Sequence, residues 1–352
     1  MSRATTGKAA LTWVDSARWP LRLRRLAPEI DALAVYAIPL RRRFRRIDVR
    51  DGVLIHGPAG WGEVSPFWDY GPAESARWFA AGYEAATRGF PPTRRETVPV
   101  NATIPVCEPQ VAHDLVVAAR GVGTVKVKVA DPGCSLAADC ARVEAVRAAL
   151  GPAGRIRVDA NAAWGVEQAC AAIAALDRAA GGLEYVEQPC ASVPEMAEIR
   201  RKADVPVAAD ESVRRAADPL EVVREDACDL IVTKVQPLGG VRPALALAER
   251  AGVPVVVSSA IDSSIGLAMG AHLAASLPEL PHACGLGTLP LLTGDVADRP
   301  MIPVAGEVPV AEPAVADGEF PAAPPDLVER WLARLGDIAD ALAAGASGVE
   351  RA

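Results

Sequence analysis

Short apolar segments recur along most of the chain, and segments with helical periodicity lie between them. From residue 98 onward there are eight such apolar segments, rich in valine and isoleucine, and seven helical ones, for example residues 137–150 and 166–179. Strands that alternate with helices form a parallel sheet, and eight of them close into a barrel. The predicted barrel strands are residues 98–104, 124–130, 155–161, 184–188, 206–210, 230–235, 254–259 and 283–286.

The residues before the barrel follow a different pattern, in which short strands are separated by turns. A strand is predicted at residues 33–38 and a charged loop at residues 41–46. The dipeptide Asp51-Gly52 is a strong hairpin signal, so a strand is predicted on each side of it. With a helix at residues 73–86, this part of the chain is predicted to be a small α+β unit that caps the barrel.

These patterns divide the chain into an α+β capping domain at residues 31–97 and a barrel at residues 98–309. An amphipathic helix at residues 325–343 is predicted to pack back on the capping domain, so a C-terminal segment of about residues 310–352 completes that domain. Residues 1–30 are basic and lack the continuous apolar segment of a secretory signal. They are interpreted as an N-terminal extension that is disordered, forms an amphipathic helix or reflects a misassigned translation start.

Composition and charge narrow the class of protein. The 352 residues are 51% hydrophobic and 23% charged, which is ordinary for a globular enzyme. The net charge of −7 argues against a nucleic-acid partner, which would favour a basic surface. No apolar run reaches the ~20 residues of a membrane span. Seven cysteines without C-x-x-C spacing favour free thiols in a reducing compartment, here the cytoplasm.

The predicted strand at residues 124–130 has valines at alternate positions and lysines between them. Because side chains alternate faces along a strand, Lys126 and Lys128 lie on the same face, about 6–7 Å apart. Mutual repulsion and burial both lower the pKa of a lysine, which makes it a base near neutral pH. A pair of this kind taken alone is more often a solvated basic face, so its interpretation depends on the strands that follow.

Carboxylates stand at the ends of the next three predicted strands, namely Asp159, Glu187 and Asp210. The active site of such a barrel lies at the carboxyl ends of its strands, so these side chains should converge there. Like charges at close range are unfavourable unless a cation lies among them. Oxygen ligands without sulfur or imidazole favour Mg²⁺, with Mn²⁺ as a substitute. The alternative, in which each acid caps the following helix, explains any one position more easily than the whole set.

Another lysine, Lys234, ends the sixth predicted strand, so lysines of the second and sixth strands should face each other across the metal. This arrangement is suited to removing a proton next to a carboxylate, with a lysine as the base. The metal would stabilise the resulting enediolate as a Lewis acid. A small-molecule carboxylate is therefore the predicted substrate. A non-catalytic binding barrel is the alternative from another class of protein, although binding alone does not require this complete set of residues.

The motifs KVKV, DANAAW, EQP, ADES and TKVQPLGG together resemble those of the enolase superfamily. The lysines on strands two and six are similar to those of its muconate-lactonizing branch, whereas the mandelate racemase branch has a histidine on strand seven. Here strand seven ends in Ser258 and Ser259, without a histidine. The resemblance covers about residues 31–287 and implies an α/β fold, a modified (β/α)7β TIM-like barrel with an α+β capping domain.

The resemblance also implies a role for each residue at the strand ends. Asp159, Glu187 and Asp210 would bind Mg²⁺. Lys128 would remove the α-proton, and Lys234 would stabilise the enediolate by its charge. Substrate contacts are expected from Lys126, Asn161, Ser258, Ser259, Gly287, Phe44 and Arg45.

Three longer stretches narrow the resemblance within the branch. GWGEVSPFWDYGP, SSAIDSSIGLAMG and ACGLGT are most similar to those of a hydro-lyase that dehydrates a cyclic carboxylate. N-acylamino acid racemases and dipeptide epimerases share the same catalytic set, so they stay alternatives. The charged loop at residues 41–46 is expected to cover the site, because guanidinium groups favour a carboxylate substrate. The oligomeric state is left open, with a monomer as one option.

Overall fold

A computed structural model gives the structure of residues 8–349, with side chains described to residue 344. Its strands are, in chain order, β1 (Ala10–Trp13), β2 (Ala32–Phe44), β3 (Ile47–Gly57), β4 (Gly60–Val64), β5 (Thr97–Ile104), β6 (Thr124–Lys128), β7 (Arg155–Asp159), β8 (Leu183–Glu187), β9 (Val207–Ala209), β10 (Leu230–Thr233), β11 (Val255–Val257), β12 (Cys284–Gly287) and β13 (Glu307–Pro309). Its helices are α1 (Leu21–Leu26), α2 (Pro72–Arg88), α3 (Pro109–Ala118), α4 (Leu136–Leu150), α5 (Val166–Ala180), α6 (Val193–Lys202), α7 (Glu211–Arg214), α8 (Glu221–Arg224), α9 (Val235–Leu238), α10 (Val241–Ala251), α11 (Ser264–Ser276) and α12 (Pro325–Val349).

Strands β5 to β12 form the predicted barrel. They pair in parallel, in the order β11-β10-β9-β8-β7-β6-β5-β12. A parallel bridge between Ser258 and Gly285 joins the two outer strands of this order and closes the ring. Helical segments follow each of the first seven strands, which confirms the (β/α)7β barrel. Several strands end earlier than predicted, so Asp210 and Lys234 lie just beyond β9 and β10.

Alternation along each barrel strand separates the hydrophobic core from the barrel interior. On β6, Val125 and Val127 belong to the main core, whereas the lysines between them face the interior. A separate apolar cluster lies between strands β8 and β11. The guanidinium of the buried Arg157 lies 4.5 Å from the ring centroid of Tyr185 in this cluster, so charged and apolar side chains share the interior.

The capping domain is an antiparallel sheet with the order β1-β2-β3-β4, covered by helices. Helix α12 returns from the C-terminus and packs on α2 and α1. Its Trp331 is fully buried in the core of this domain and donates a hydrogen bond to Asp51. The boundaries at residues 97 and 309 stay predictions. In the described part of the chain, none of the helices is long and apolar enough to cross a membrane.

The segment interpreted as an N-terminal extension contributes to the capping domain from residue 8 onward. Strand β1 pairs with β2, and Trp19 and Leu23 are buried in the capping core. From residue 8 onward this segment forms a strand and the short helix α1, which exposes its arginines and buries Leu23. Residues 1–7 lie outside the described residues.

The hairpin of the capping domain lies at a different place from the predicted one. Strand β2 runs to Phe44, and the turn is formed by Arg45 and Arg46, whose φ angles are 48° and 63°. Two successive residues of positive φ are typical of a two-residue hairpin turn. Strand β3 runs straight through Gly52, so the Asp51-Gly52 prediction is wrong. Gly52 is required for close packing, because a Cβ there would lie 2.7 Å from the ring of Tyr36.

This contact gives a prediction for stability. Gly52→Ala should lower the free energy of unfolding by about 1–3 kcal/mol, because the added methyl group also approaches the Ser65 Cβ at 2.6 Å and the packed core must shift. Urea unfolding monitored by circular dichroism measures the change. Gly318→Ala is the matched control, since a Cβ at Gly318 meets no atom within 4 Å. Equal stability of the two variants would contradict the packing role of Gly52.

Candidate active site

The parallel register of the barrel places the predicted residues side by side. Lys128 on β6 lies opposite Asp159 on β7, and Asp159 lies opposite Glu187 on β8. Glu187 is paired with Ala208 on β9, so Asp210, two residues further along, faces the same interior. The predicted lysine and carboxylates of adjacent strands therefore form one continuous polar patch at the carboxyl ends of the strands.

The two lysines of β6 bind the carboxylates of β7 and β8. The Lys126 Nζ lies 3.0 Å from each carboxylate oxygen of Glu187 and 3.2 Å from Oδ2 of Asp159. The Lys128 Nζ lies 2.5 Å from the same Asp159 oxygen and 2.7 Å from Oδ1 of Asn161. Lys128 keeps 17% of its side chain exposed and Lys126 only 9%. Lys128 is therefore the more accessible of the two to a molecule in the site.

Asp210 lies between two cations at the end of β9. The Lys234 Nζ is 2.5 Å and the Arg214 Nε is 3.0 Å from its Oδ1. The side chain of Asp210 does not cap the following helix α7, so helix capping does not explain this residue. Arg214 lies one turn later in α7 and also donates a hydrogen bond to the hydroxyl of Tyr70 in the capping domain. Asp210 is thus linked through Arg214 to the cap.

The electrostatic environments of the three carboxylates differ. Burial raises the pKa of Asp159, but the attraction of Lys128 and Lys126 outweighs it and holds this pKa below its usual range. Burial also raises the pKa of Asp210, but the attraction of Arg214 and Lys234 outweighs it, so this pKa is lowered as well. For Glu187, burial and repulsion from Asp159 outweigh the attraction of Lys126, so its pKa is raised. A divalent cation at this position would favour the charged form of all three.

The pKa values of the lysines differ from the expectation based on the KVKV motif. Burial lowers the pKa of Lys126, but the combined attraction of Glu187 and Asp159 outweighs the effect of burial, so the pKa of Lys126 is raised. The expected decrease is thus wrong for Lys126, because two carboxylates lie within 3.2 Å of its ammonium group. Burial lowers the pKa of Lys234 despite the attraction of Asp210.

The polar patch opens into a pocket that the β2–β3 hairpin covers on one side. The ring centroid of Phe44 lies 5.5 Å from the Lys128 Nζ. The guanidinium of Arg45, in the hairpin turn, lies 4.1 Å from the ring centroid of Phe67. The predicted residues that line this pocket are Phe44, Arg45, Lys126, Lys128, Asp159, Asn161, Asp210, Lys234, Ser258 and Ser259.

Two of the predicted residues do not line the pocket. Glu187 is fully buried and is covered by its contact with Lys126. Gly287 packs on the backbone of β5, where a Cβ would lie 2.5 Å from the carbonyl oxygen of Asn101. Its neighbours Gly285 and Thr288 line the pocket instead. Gly287 therefore packs against β5 in this structure, and its contact with a substrate stays a prediction.

Sequence reasoning missed Thr103, Arg214 and Thr288, all of which line the pocket. Thr103 lies between Ala102 and Ile104 on β5, so the alternation that identified the lysines of β6 would also have found it. Arg214 follows Asp210 by four residues, the spacing that returns a side chain to the same face of a helix. Thr288 follows β12 in a turn and has no comparable signal in the sequence.

The donor chemistry of Asp159, Glu187 and Asp210 fits a hard divalent cation, because all their ligand atoms are carboxylate oxygens. Within residues 8–349, no group of three or more His, Cys, Asp or Glu side chains is arranged around one point as in a metal centre. Each of the three carboxylates is instead turned towards an ammonium group. Binding of a cation here would require these carboxylates to exchange part of their lysine contacts for metal contacts.

Family models match both parts of the chain. Residues 110–315 match the Enolase C-terminal domain-like family, and residues 35–86 match the Enolase N-terminal domain-like family. The chain belongs to the enolase superfamily, which confirms the resemblance noted from the motifs. Enzymes of this superfamily use a lysine or histidine base with Mg²⁺.

The similar proteins include two o-succinylbenzoate synthases. The protein from Thermobifida fusca is 58% identical over 300 residues, which are 85% of this chain and 93% of the relative. The protein from Mycobacterium tuberculosis is 51% identical over 308 residues, which are 87% and 93% of the two chains. A solved structure of similar fold is the dipeptide epimerase from Enterococcus faecalis complexed with Mg and the dipeptide L-Leu-L-Tyr. It has a TM-score of 0.68 and 24% identity and covers 82% of this chain and 98% of its own.

Proposed function

We propose that this chain is an o-succinylbenzoate synthase. It would dehydrate 2-succinyl-6-hydroxy-2,4-cyclohexadiene-1-carboxylate to 2-succinylbenzoate, a carbon–oxygen lyase reaction of menaquinone biosynthesis. The identity of 58% with the Thermobifida fusca enzyme, over 93% of that enzyme's length, is the observation that carries this proposal. The dipeptide epimerase shares only the fold at 24% identity, so the racemase alternative has weaker support. The seven free thiols agree with a cytoplasmic enzyme.

The proposed metal ligands are Asp159, Glu187 and Asp210, with Mg²⁺ as the cation and Mn²⁺ as a substitute. Their support is the common interior face at the ends of three adjacent strands and the raised pKa of Glu187, whose charged form is disfavoured by burial and by the neighbouring Asp159. When bound, the cation would supply positive charge that stabilises negative charge on the substrate carboxylate. Lys126 contacts two of these ligands and would hold their carboxylates in place.

Lys128 is the proposed acid–base group of the dehydration. Its Nζ would take the proton from the carbon next to the carboxylate, which leaves an enediolate. Lys128 would then return the proton to the hydroxyl group as the ring carbon–oxygen bond breaks. Water leaves, the ring becomes aromatic and the lysine regains its initial form, so protons balance. One lysine suffices when the proton and the hydroxyl group leave from the same face.

Lys234 is the proposed electrostatic partner on the other side of the substrate. It comes from β10, four strands from β6 around the barrel, and is held by Asp210. Its ammonium group would stabilise the enediolate by charge. Phe44 and Arg45 would cover the substrate from the hairpin, and Asn161, Ser258 and Ser259 would contact it from the strand ends, since all five line the pocket.

The experiment for this proposal compares two reactions with the purified wild-type protein. Loss of the cyclohexadiene substrate is followed by its ultraviolet absorbance, and racemisation of an N-succinylamino acid is followed by polarimetry. We expect dehydration to have the higher kcat/KM. Efficient racemisation without dehydration would contradict the proposal and favour the racemase alternative.

The metal assignment gives a second prediction. Glu187→Gln removes one negative charge from the ligand set and should weaken Mg²⁺ binding with little change in fold, because the side chain keeps its size. Isothermal calorimetry measures the affinity and circular dichroism the fold. Glu84→Gln is a matched control, since Glu84 is also a buried carboxylate but contacts Arg242 of α10. Unchanged Mg²⁺ affinity in Glu187→Gln would count against the assignment.

A further inference from the structure

Glu63 is a buried carboxylate of the capping domain that binds the barrel. It lies on β4, has 0% of its surface exposed, and accepts hydrogen bonds at both oxygens. Its Oε2 accepts from the backbone N–H of Ser263 at 3.1 Å, from the Ser263 hydroxyl at 2.5 Å and from the N–H of Gly266 at 3.1 Å. Its Oε1 accepts from the hydroxyls of Tyr36 at 2.9 Å and Ser65 at 2.6 Å. One carboxylate thus joins the capping sheet to the first turn of α11.

The segment held in this way leads directly from the pocket. Residues 258–261, between β11 and α11, line the pocket. Ile261 has a φ of +63°, which is an outlier for a β-branched residue and requires support from its surroundings. On the pocket side of Ile261, the Arg50 Nε donates to the carbonyl of Ala260 at 3.1 Å. Glu63 holds the other side at Ser263. Two side chains of the capping domain therefore fix both ends of a strained turn in the barrel.

The packing around Glu63 leaves little freedom for another side chain. A Cβ at Gly266 would lie 2.9 Å from Oε2 of Glu63, so this position of α11 must be glycine for the carboxylate to approach. All three donors from α11 and its N-cap point to a single oxygen. An amide in place of the carboxylate has only one acceptor oxygen, so its NH₂ group would face the hydroxyls of Tyr36 and Ser65, which would have to turn from donors into acceptors. A glutamine here would therefore disturb the hydrogen bonds on one side of the site.

We propose that Glu63 is a positioning residue for substrate binding. By fixing the start of α11, it would keep residues 258–261 in the conformation that presents Ser258 and Ser259 to the substrate. The inference rests on the proposed dehydratase function and adds a residue that does not touch the pocket itself. The capping domain would then have two roles: its β2–β3 hairpin covers the pocket, and its Glu63 fixes the barrel loop that lines the pocket.

The test compares kinetics of Glu63→Gln and of the control Glu84→Gln with those of the wild type. Glu84 also links the cap to the barrel, but its partner Arg242 does not line the pocket. We expect Glu63→Gln to raise KM by about ten- to a hundredfold through displacement of the loop, with a smaller change in kcat. Affinity for 2-succinylbenzoate should fall in parallel, whereas Mg²⁺ affinity should not change. Glu84→Gln should lose stability without a change in KM.

Several outcomes would overturn the inference. If both variants show the wild-type KM, Glu63 has only a structural role. If Glu63→Gln does not fold, the kinetics of Ser263→Ala are measured instead, because this variant removes the hydrogen bond from the Ser263 hydroxyl to Glu63. A wild-type KM in Ser263→Ala would also overturn the inference. An inactive wild-type protein would instead contradict the proposed function. The wild-type assay therefore distinguishes failure of the proposed function from failure of the role proposed for Glu63.

Discussion

Lys128→Ala is expected to lower kcat for dehydration by about 10²–10⁴-fold, the usual contribution of a positioned acid–base group. The Lys128 ammonium group faces the pocket between Asp159 and Asn161, and it is the more exposed of the two β6 lysines. Lys126 is the weaker candidate on the same strand, because it is less exposed than Lys128 and contacts two carboxylates, those of Glu187 and Asp159.

The measurement for Lys128 is steady-state kinetics at saturating substrate and Mg²⁺, with circular dichroism as a check of the fold. Lys202→Ala is the matched control, because Lys202 is a lysine with 52% of its side chain exposed on α6. We expect the control to have wild-type kinetics. Retention of more than about a tenth of the wild-type kcat in Lys128→Ala would contradict its role as the acid–base group.

Lys234→Ala is expected to lower kcat for dehydration by about 10²–10³-fold, the cost of removing one donor that stabilises developing negative charge. Lys234→Arg should retain more activity than Lys234→Ala, because arginine keeps the positive charge next to Asp210. Arginine does not give up a proton at ordinary pH, so the same variant should lose any racemisation of an N-succinylamino acid. Parallel assays of both reactions measure the difference.

Comparison of the two lysine variants tests whether Lys128 alone transfers protons while Lys234 acts only through its charge. A dehydratase in which proton and hydroxyl leave from one face needs a single acid–base lysine, whereas a racemase needs one on each face. If Lys128→Ala still dehydrates the substrate while Lys234→Arg does not, the assigned roles are reversed. If both variants lose dehydration and racemisation to the same extent, the account of Lys234 as a fixed charge is wrong.

The arrangement of the strand ends could be predicted from the sequence because two regular rules determine it. Side-chain alternation puts Lys126 and Lys128 on one face, and parallel neighbours in chain order bring Asp159 and Glu187 beside them. Both rules depend on backbone geometry and apply to any parallel barrel. The closed barrel and the polar patch therefore followed from periodicity and strand order, whereas the modified (β/α)7β form was implied by the resemblance to the superfamily.

Contacts that depend on packing between distant segments could not be predicted in this way. Gly52 has the sequence of a turn but faces the Tyr36 ring, so local preference gave the wrong hairpin. The raised pKa of Lys126 results from distances to Glu187 and Asp159 that spacing along the chain does not contain. The bonds of Glu63 to α11 join residues about two hundred positions apart in the sequence, and no local pattern indicates them.

The dependence of dehydration on Mg²⁺ tests the central claim most directly. The wild-type protein is treated with a chelator, dialysed and assayed with the cyclohexadiene carboxylate by ultraviolet absorbance, before and after Mg²⁺ is added. We predict negligible conversion without the cation and restored conversion to 2-succinylbenzoate when Mg²⁺ is present. No conversion at any Mg²⁺ concentration, or a rate that chelation leaves unchanged, would contradict the account.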